Sequence, residues 1–175
     1  MTNKSTTVSG IIDNIRRVFK AINDHSKRVE RQTGITGPQL WAIKIIGDLS
    51  PVKVSDLARR MYIHPATAGG LLDRLESRKL VKRVRSKDDR RVVKVTLTED
   101  GKKLVEKSPQ VAQGLLVKGL EVLPVERLQE IYSALEELVH ILGAQELPPQ
   151  LILSPEVNLP RRKRDSLKRG MGKCE

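Results

Sequence analysis

Apolar residues at Val8, Ile11, Ile12, Ile15, Val18, Phe19 and Ile22 recur at spacings of three and four, which gathers them into one stripe of a helix over 8–22. A second stretch, 36–49, carries Leu40, Trp41, Ile43, Ile45 and Ile46 behind Pro38, a residue that a first helical turn tolerates, and runs out between Gly47 and Pro51. Ser55 is placed to accept a backbone N–H at the start of a short helix bearing Leu57, Ala58 and Met61. Pro65 fits the first turn of another, bearing Leu71, Leu72 and Leu75. Beyond Leu80 and Val81 the period falls to two: Val93, Val95 and Leu97 alternate with Lys94 and Thr96, Val84 lies in a partner strand, and the polar run 86–91 forms a hairpin tip between them. Thr98 then caps a long helical stretch through Leu104, Val105, Val111, Leu115, Leu116 and Leu120, which Pro109 should kink or split. Pro124 opens a last helix, where Leu128, Ile131, Leu135, Leu138, Val139 and Leu142 repeat at three and four.

Two helices separated by about three residues and followed by a polar-tipped hairpin make a winged helix-turn-helix. The pattern therefore predicts a mainly α fold with a small antiparallel β wing. It divides into an N-terminal helix over 8–35, the winged helix-turn-helix over 36–101, C-terminal helices over 102–143 and a tail over 144–175. In that tail Pro148, Pro149, Pro155 and Pro160 interrupt any element, and Arg161 to Lys173 is strongly basic, so a mobile segment is expected.

Charge changes the picture from architecture to partner. Lysine and arginine number 33 against 21 acidic residues, a formal net charge of +12, which draws the chain towards polyanions. More than half of that excess lies between Arg74 and Lys94, where Arg78, Lys79, Lys82, Arg83, Arg85, Lys87, Arg90 and Arg91 also stand, against only Glu76, Asp88 and Asp89. Positive charge thus coincides with the end of the second short helix and the hairpin, the parts of such a fold that face a duplex, and double-stranded DNA is the expected partner. Aromatics are confined to Phe19, Trp41, Tyr62 and Tyr132, too few for stacking on unpaired bases. The basic tail either adds phosphate contacts or is simply solvated.

Other chemistry finds no residues. His25, His64 and His140 are far apart, Cys174 is the single cysteine, and no ligand spacing for a metal or cofactor occurs, so neither is expected. No nucleophile elbow, phosphate loop or carboxylate pair suggests an enzyme. The polar N-terminus and the absence of any run of about 20 apolar residues predict a cytoplasmic protein with no membrane partner.

Several short runs, taken in order, carry a family likeness: Val54-Ser-Asp-Leu-Ala-Arg-Arg-Met61, Leu71-Leu-Asp-Arg-Leu-Glu76, Leu80-Val81, Asp88-Asp-Arg-Arg91 and Val95-Thr-Leu-Thr-Glu-Asp-Gly101. Through them the sequence resembles the MarR family of multiple-antibiotic-resistance-type regulators over about residues 8 to 143. The most specific piece is the wing, where Asp89, Arg91, Leu97 and Thr98 keep the family's spacing. The resemblance implies a homodimer whose first and last helices interleave, assigning Ile11, Ile15, Val18, Leu115, Leu128, Ile131, Leu135 and Leu138 to dimerisation. It implies a transcriptional regulator, a repressor, on a pseudo-palindromic site, with Arg90 or Arg91 entering the minor groove and Asp89 orienting it. An arginine suits that place because a narrow minor groove concentrates negative potential. It also leaves room for a small-molecule effector, for which Phe19, His25, Trp41 and Ile45 are candidates, although each reads equally well as core; the oxidant-sensing route lacks its thiol, since Cys174 is far from the first helix.

Two departures from the family pattern affect recognition. Gly69-Gly70 stand mid-helix where polar side chains are usual, so base readout is expected from His64, Ala66 and Thr67 in the first turn, while the glycines permit close backbone approach. Lys79 replaces a common glycine at the turn into the wing, which affects the wing's angle. The full DNA-facing set is Ser55, His64, Ala66, Thr67, Arg74, Lys87, Asp89, Arg90 and Arg91. A protein-interaction scaffold that meets nucleic acid non-specifically is the competing expectation.

Overall fold

The structure, a computed structural model, describes residues 3–85, 92–149 and 151. The hairpin-tip residues Lys87, Asp89, Arg90 and Arg91, and the basic tail with Cys174, lie outside the described residues.

The first helix, α1 (Lys4–Thr33), is capped by the Asn3 side chain accepting from the Ser5 N–H and ends at Gly34, whose φ of 69° is the left-handed conformation glycine favours. It is longer than the apolar stripe predicts because nothing between Ile22 and Gly34 breaks a helix, and Val29 near its end is buried in the core. Helix α2 (Gly37–Leu49) begins behind Thr36, whose N–H donates to Gln39 Oε1 at 3.1 Å, and it is buried on nearly every side. It forms the centre of the core, packed by α1, the short helix α3 (Val54–Arg60) and α4 (Pro65–Ser77).

Ser55 does not cap α3. The capping position is Lys53 and Ser55 lies inside the first turn, because the chain enters the helix directly from a two-residue strand, β1 (Val52–Lys53), that fixes its extended backbone one position earlier. That strand is too short to leave a periodic signal. The sheet is antiparallel in the order β1, β3, β2, with β2 (Val81–Arg85) and β3 (Val93–Leu97) in the predicted hairpin; Val52 faces Val95, and Val81 faces Leu97.

Lys79 has a φ of 58°, so the turn into the wing keeps the backbone a glycine would adopt and bears a cost of about 1 kcal/mol for the side chain. The Leu80 N–H donates to the Leu75 carbonyl and the Lys79 N–H to that of Glu76, which closes the end of α4 and points the chain into β2. Tyr62, φ 52°, ends α3 in the same way, with the Ile63 N–H on the Ala58 carbonyl.

Thr98 caps α5 (Glu99–Glu106) by accepting from the Gly101 N–H. Pro109 splits the following stretch as expected: residues 107–111 are non-helical before α6 (Ala112–Glu121). The last helix, α7 (Val125–Ile141), has no buried residue. No helix among the described residues is long and apolar enough to cross a membrane.

Candidate nucleic-acid interface

Helix α4 presents its first turn outward. His64 caps it, its Nδ1 accepting from the Ala66 N–H at 3.2 Å, so the ring is held at the helix start beside Pro65 and Ala66, all three exposed. Thr67 is half-buried; Ala68, Leu71, Leu72 and Leu75 anchor the opposite face in the core. Ala66, Gly69 and Asp73, at spacings of three and four, form one outward stripe flanked by strand β2. The structure therefore brings His64, Ala66 and Thr67 together at one helix end. Arg74 is half-buried in the last turn of the same helix, and Ser55 is exposed in the first turn of α3.

At Gly69 a Cβ would meet nothing within 4 Å, and the residue is not in the left-handed region. An interior helical glycine costs roughly 1 kcal/mol relative to alanine, and no packing among the described residues requires it here. Close approach of a partner to the bare backbone would. Gly69→Ala is accordingly expected to raise unfolding free energy by up to about 1 kcal/mol while weakening DNA binding. A denaturation curve paired with a binding titration checks both signs, and a variant that gains stability and binds as before would remove the glycine from the interface.

Strand β2 packs beside this stripe, with Arg85 exposed on the sheet face that carries Arg83, while Lys82, exposed, and Lys94 on β3, half-buried, lie on the opposite face. Arg83 takes a place that its position among the cations of the wing does not announce. Its guanidinium donates to Asp73 Oδ1 at 2.7 Å, to Glu76 Oε2 at 3.2 Å and to the Gly69 carbonyl at 3.1 Å, so this cation is occupied within the protein. No periodicity announces a pairing between a strand and a helix. The same holds for Tyr62: from the turn between α3 and α4 its hydroxyl donates to Glu121 Oε1 at 3.0 Å on α6, and the carboxylate raises the phenol's pKa.

Among the described residues the effector candidates fall along different hollows. Trp41 and Ile45 line a hollow of about 220 Å³ with Gly114 and Lys118, whereas His25 lies with Val18 and Leu115 along an apolar groove of about 370 Å³ between α1 and α6. Phe19 is 66% exposed and lines neither. Among the described residues no three His, Cys, Asp or Glu side chains come together as a metal site would require.

Comparison with known proteins fits this geometry. The model of the MarR family matches residues 35–93, which run from two residues before α2 to the first residue of β3. The organic hydroperoxide resistance transcriptional regulator of Bacillus subtilis is 33% identical over 108 residues, 62% of this chain and 72% of that protein. The chain belongs to the MarR family. It is also 37% identical to the HTH-type transcriptional regulator YfiV of Bacillus subtilis over 105 residues, 60% of this chain and 66% of that protein. Among solved structures, a MepR-like protein complexed with pseudoligands is 29% identical with a TM-score of 0.54, covering 80% of this chain and 99% of its own. As a MarR-family protein, the chain is a DNA-binding transcriptional regulator built on a winged helix, and the relatives it matches are transcriptional regulators.

Proposed function

We propose that this MarR-family protein is a cytoplasmic repressor that binds a pseudo-palindromic duplex site as a homodimer. The observation that supports the reading is the exposed start of α4, capped by His64, in a winged domain whose adjoining strand β2 carries Lys82, Arg83 and Arg85. In this reading His64, Ala66 and Thr67 enter the major groove, the two recognition helices sit roughly 34 Å apart in successive grooves, and Lys87, Arg90 and Arg91, with Asp89 orienting, reach the flanking minor grooves. Arginine is favoured there because it keeps its charge while giving up water. Ser55 and Arg74 add contacts to the backbone of the duplex. Its charge, +12 over the chain, supports rapid, salt-sensitive association.

Selection from a pool of random duplexes tests the reading. Enrichment of a two-fold symmetric sequence is expected; recovery of all sequences alike would point to a protein-interaction scaffold. On the selected site, Arg90→Ala with Arg91→Ala is expected to flatten the dependence of log K on log salt by about 0.9 per lost contact. Unchanged affinity and slope in that double variant would remove the wing arginines from the interface.

A further inference from the structure

Arg83 stands in the most basic stretch of the chain, yet its surroundings differ from those of a phosphate contact. The side chain is only 27% exposed. Nη1 donates to Asp73 Oδ1 at 2.7 Å and to Glu76 Oε2 at 3.2 Å, and Nη2 donates to the Gly69 carbonyl at 3.1 Å. Glu76 returns the contact from its other oxygen, Oε1, which accepts from the Arg83 backbone N–H at 3.3 Å. The three acceptors lie at helix positions 69, 73 and 76, so a single side chain from β2 grips two turns of α4 along its outward stripe.

We propose that Arg83 is a positioning residue that fixes the wing at its working angle to the recognition helix, and that it makes no contact with DNA phosphate. The inference rests on the reading of α4 and the wing as the DNA-binding elements. Those two elements must enter neighbouring grooves together, so the joint between them decides whether both fit at once. Guanidinium is suited to that joint because its planar fork serves several acceptors in fixed directions, whereas an ammonium on a flexible stem behaves as a point charge. The carboxylates argue for the same role. Asp73 and Glu76 are acids beside a surface that approaches phosphates, where uncompensated negative charge opposes binding; their presence is explained if they hold Arg83. Gly69 fits as well, since its carbonyl takes one of the three bonds on the helix turn that is bare of side chain.

The test uses the full-length protein and the duplex selected by the wild type. Arg83→Lys keeps the charge and loses the fork. It is expected to bind about tenfold more weakly, the scale of a lost coupling between contacting groups, close to the loss in Arg83→Ala, with the salt slope of both equal to that of the wild type. Asp73→Asn is expected to weaken binding also, although removal of an acid near phosphates should by itself strengthen it. Wild-type affinity in Arg83→Lys, together with a slope reduced by about 0.9 in Arg83→Ala, would show a phosphate contact and overturn the proposal; so would tighter binding by Asp73→Asn. Hydrogen exchange on the free protein separates the clamp from the DNA reading. Amides of β2 are expected to exchange faster in Arg83→Lys with no DNA present, and unchanged exchange there would refute the clamp even if the protein binds its site.

Discussion

Leu135→Glu combined with Val139→Glu is expected to turn a dimer into a monomer and to abolish high-affinity operator binding. The two residues lie four apart on α7, are 56% and 41% exposed, and belong to a helix in which nothing is buried. Most of a helix's stability in a protein comes from packing its apolar face, and α7, with no residue buried, needs a surface to cover its stripe. The rest of that surface is at hand: Val8, Ile11, Ile12, Val18 and Phe19 on α1 and Leu115, Leu116 and Leu120 on α6 are also exposed, and with α7 they gather at the two helical ends of the chain. Apolar exposure on this scale marks an association surface, and in the proposed homodimer a second copy supplies the matching face under a two-fold axis. Each substitution then acts twice. With 56% and 41% of the two residues left to cover, the four lost burials equal about two full burials, or about 3–6 kcal/mol at roughly 1.5–3 kcal/mol for each, before the cost of placing four carboxylates in the interface. Sedimentation at micromolar protein should give the monomer mass for the variant and the dimer mass for the wild type, and binding should fall to the level of a single half-site. A variant that remains dimeric would place the interface elsewhere.

Much of this was legible in the sequence because the decisive signals are local. A period of three and four gives α1, α6 and α7; a period of two gives β3, and Val84 before it marks its partner β2; Pro65 and Thr98 open α4 and α5; Pro109 separates α5 from α6. The candidates for dimerisation were partly legible too, since a stripe shows that a face is apolar without showing what covers it. Ile11, Val18, Leu115 and Leu135 are open, whereas Ile15, Leu128, Ile131 and Leu138 are half-buried by their own chain.

What escaped the sequence depends on contacts between distant segments. β1 is two residues long and exists because Val52 and Lys53 find Val95 and Lys94 across the sheet. Ser55 has the composition of a cap but loses that place to the strand before it. Arg83 and Tyr62 read as one more cation and one more exposed aromatic until the fold brings Asp73 and Glu121 to them. The effector candidates come from the family resemblance, which does not show how α6 packs across α2 and α1, with Trp41 and His25 along different hollows.

Gly101→Ala is expected to be the most damaging small substitution in the winged domain, and its cause is also a long-range contact. A Cβ at this position would stand 2.1 Å from the Leu80 carbonyl oxygen and 3.1 Å from its carbon, and backbone has little room to move. The same carbonyl accepts from the Thr98 N–H at 3.1 Å, while the Thr98 hydroxyl donates to the Lys79 carbonyl at 2.6 Å. The start of α5 is therefore seated directly on the turn that leads from the recognition helix into the wing, and glycine is what allows the seat to be so close. Forcing a methyl group into it should cost on the order of 3 kcal/mol. For a chain of this size that lowers the midpoint of thermal unfolding by roughly 6–12 °C. The displacement also loosens the joint between the winged domain and the helices that follow, so binding to the selected duplex should weaken even at temperatures where the variant is folded. Gly69→Ala provides the contrast, for the same methyl group added where space is open should stabilise the fold. Equal thermal midpoints for Gly101→Ala and the wild type would mean that α5 does not rest on the Leu80 carbonyl.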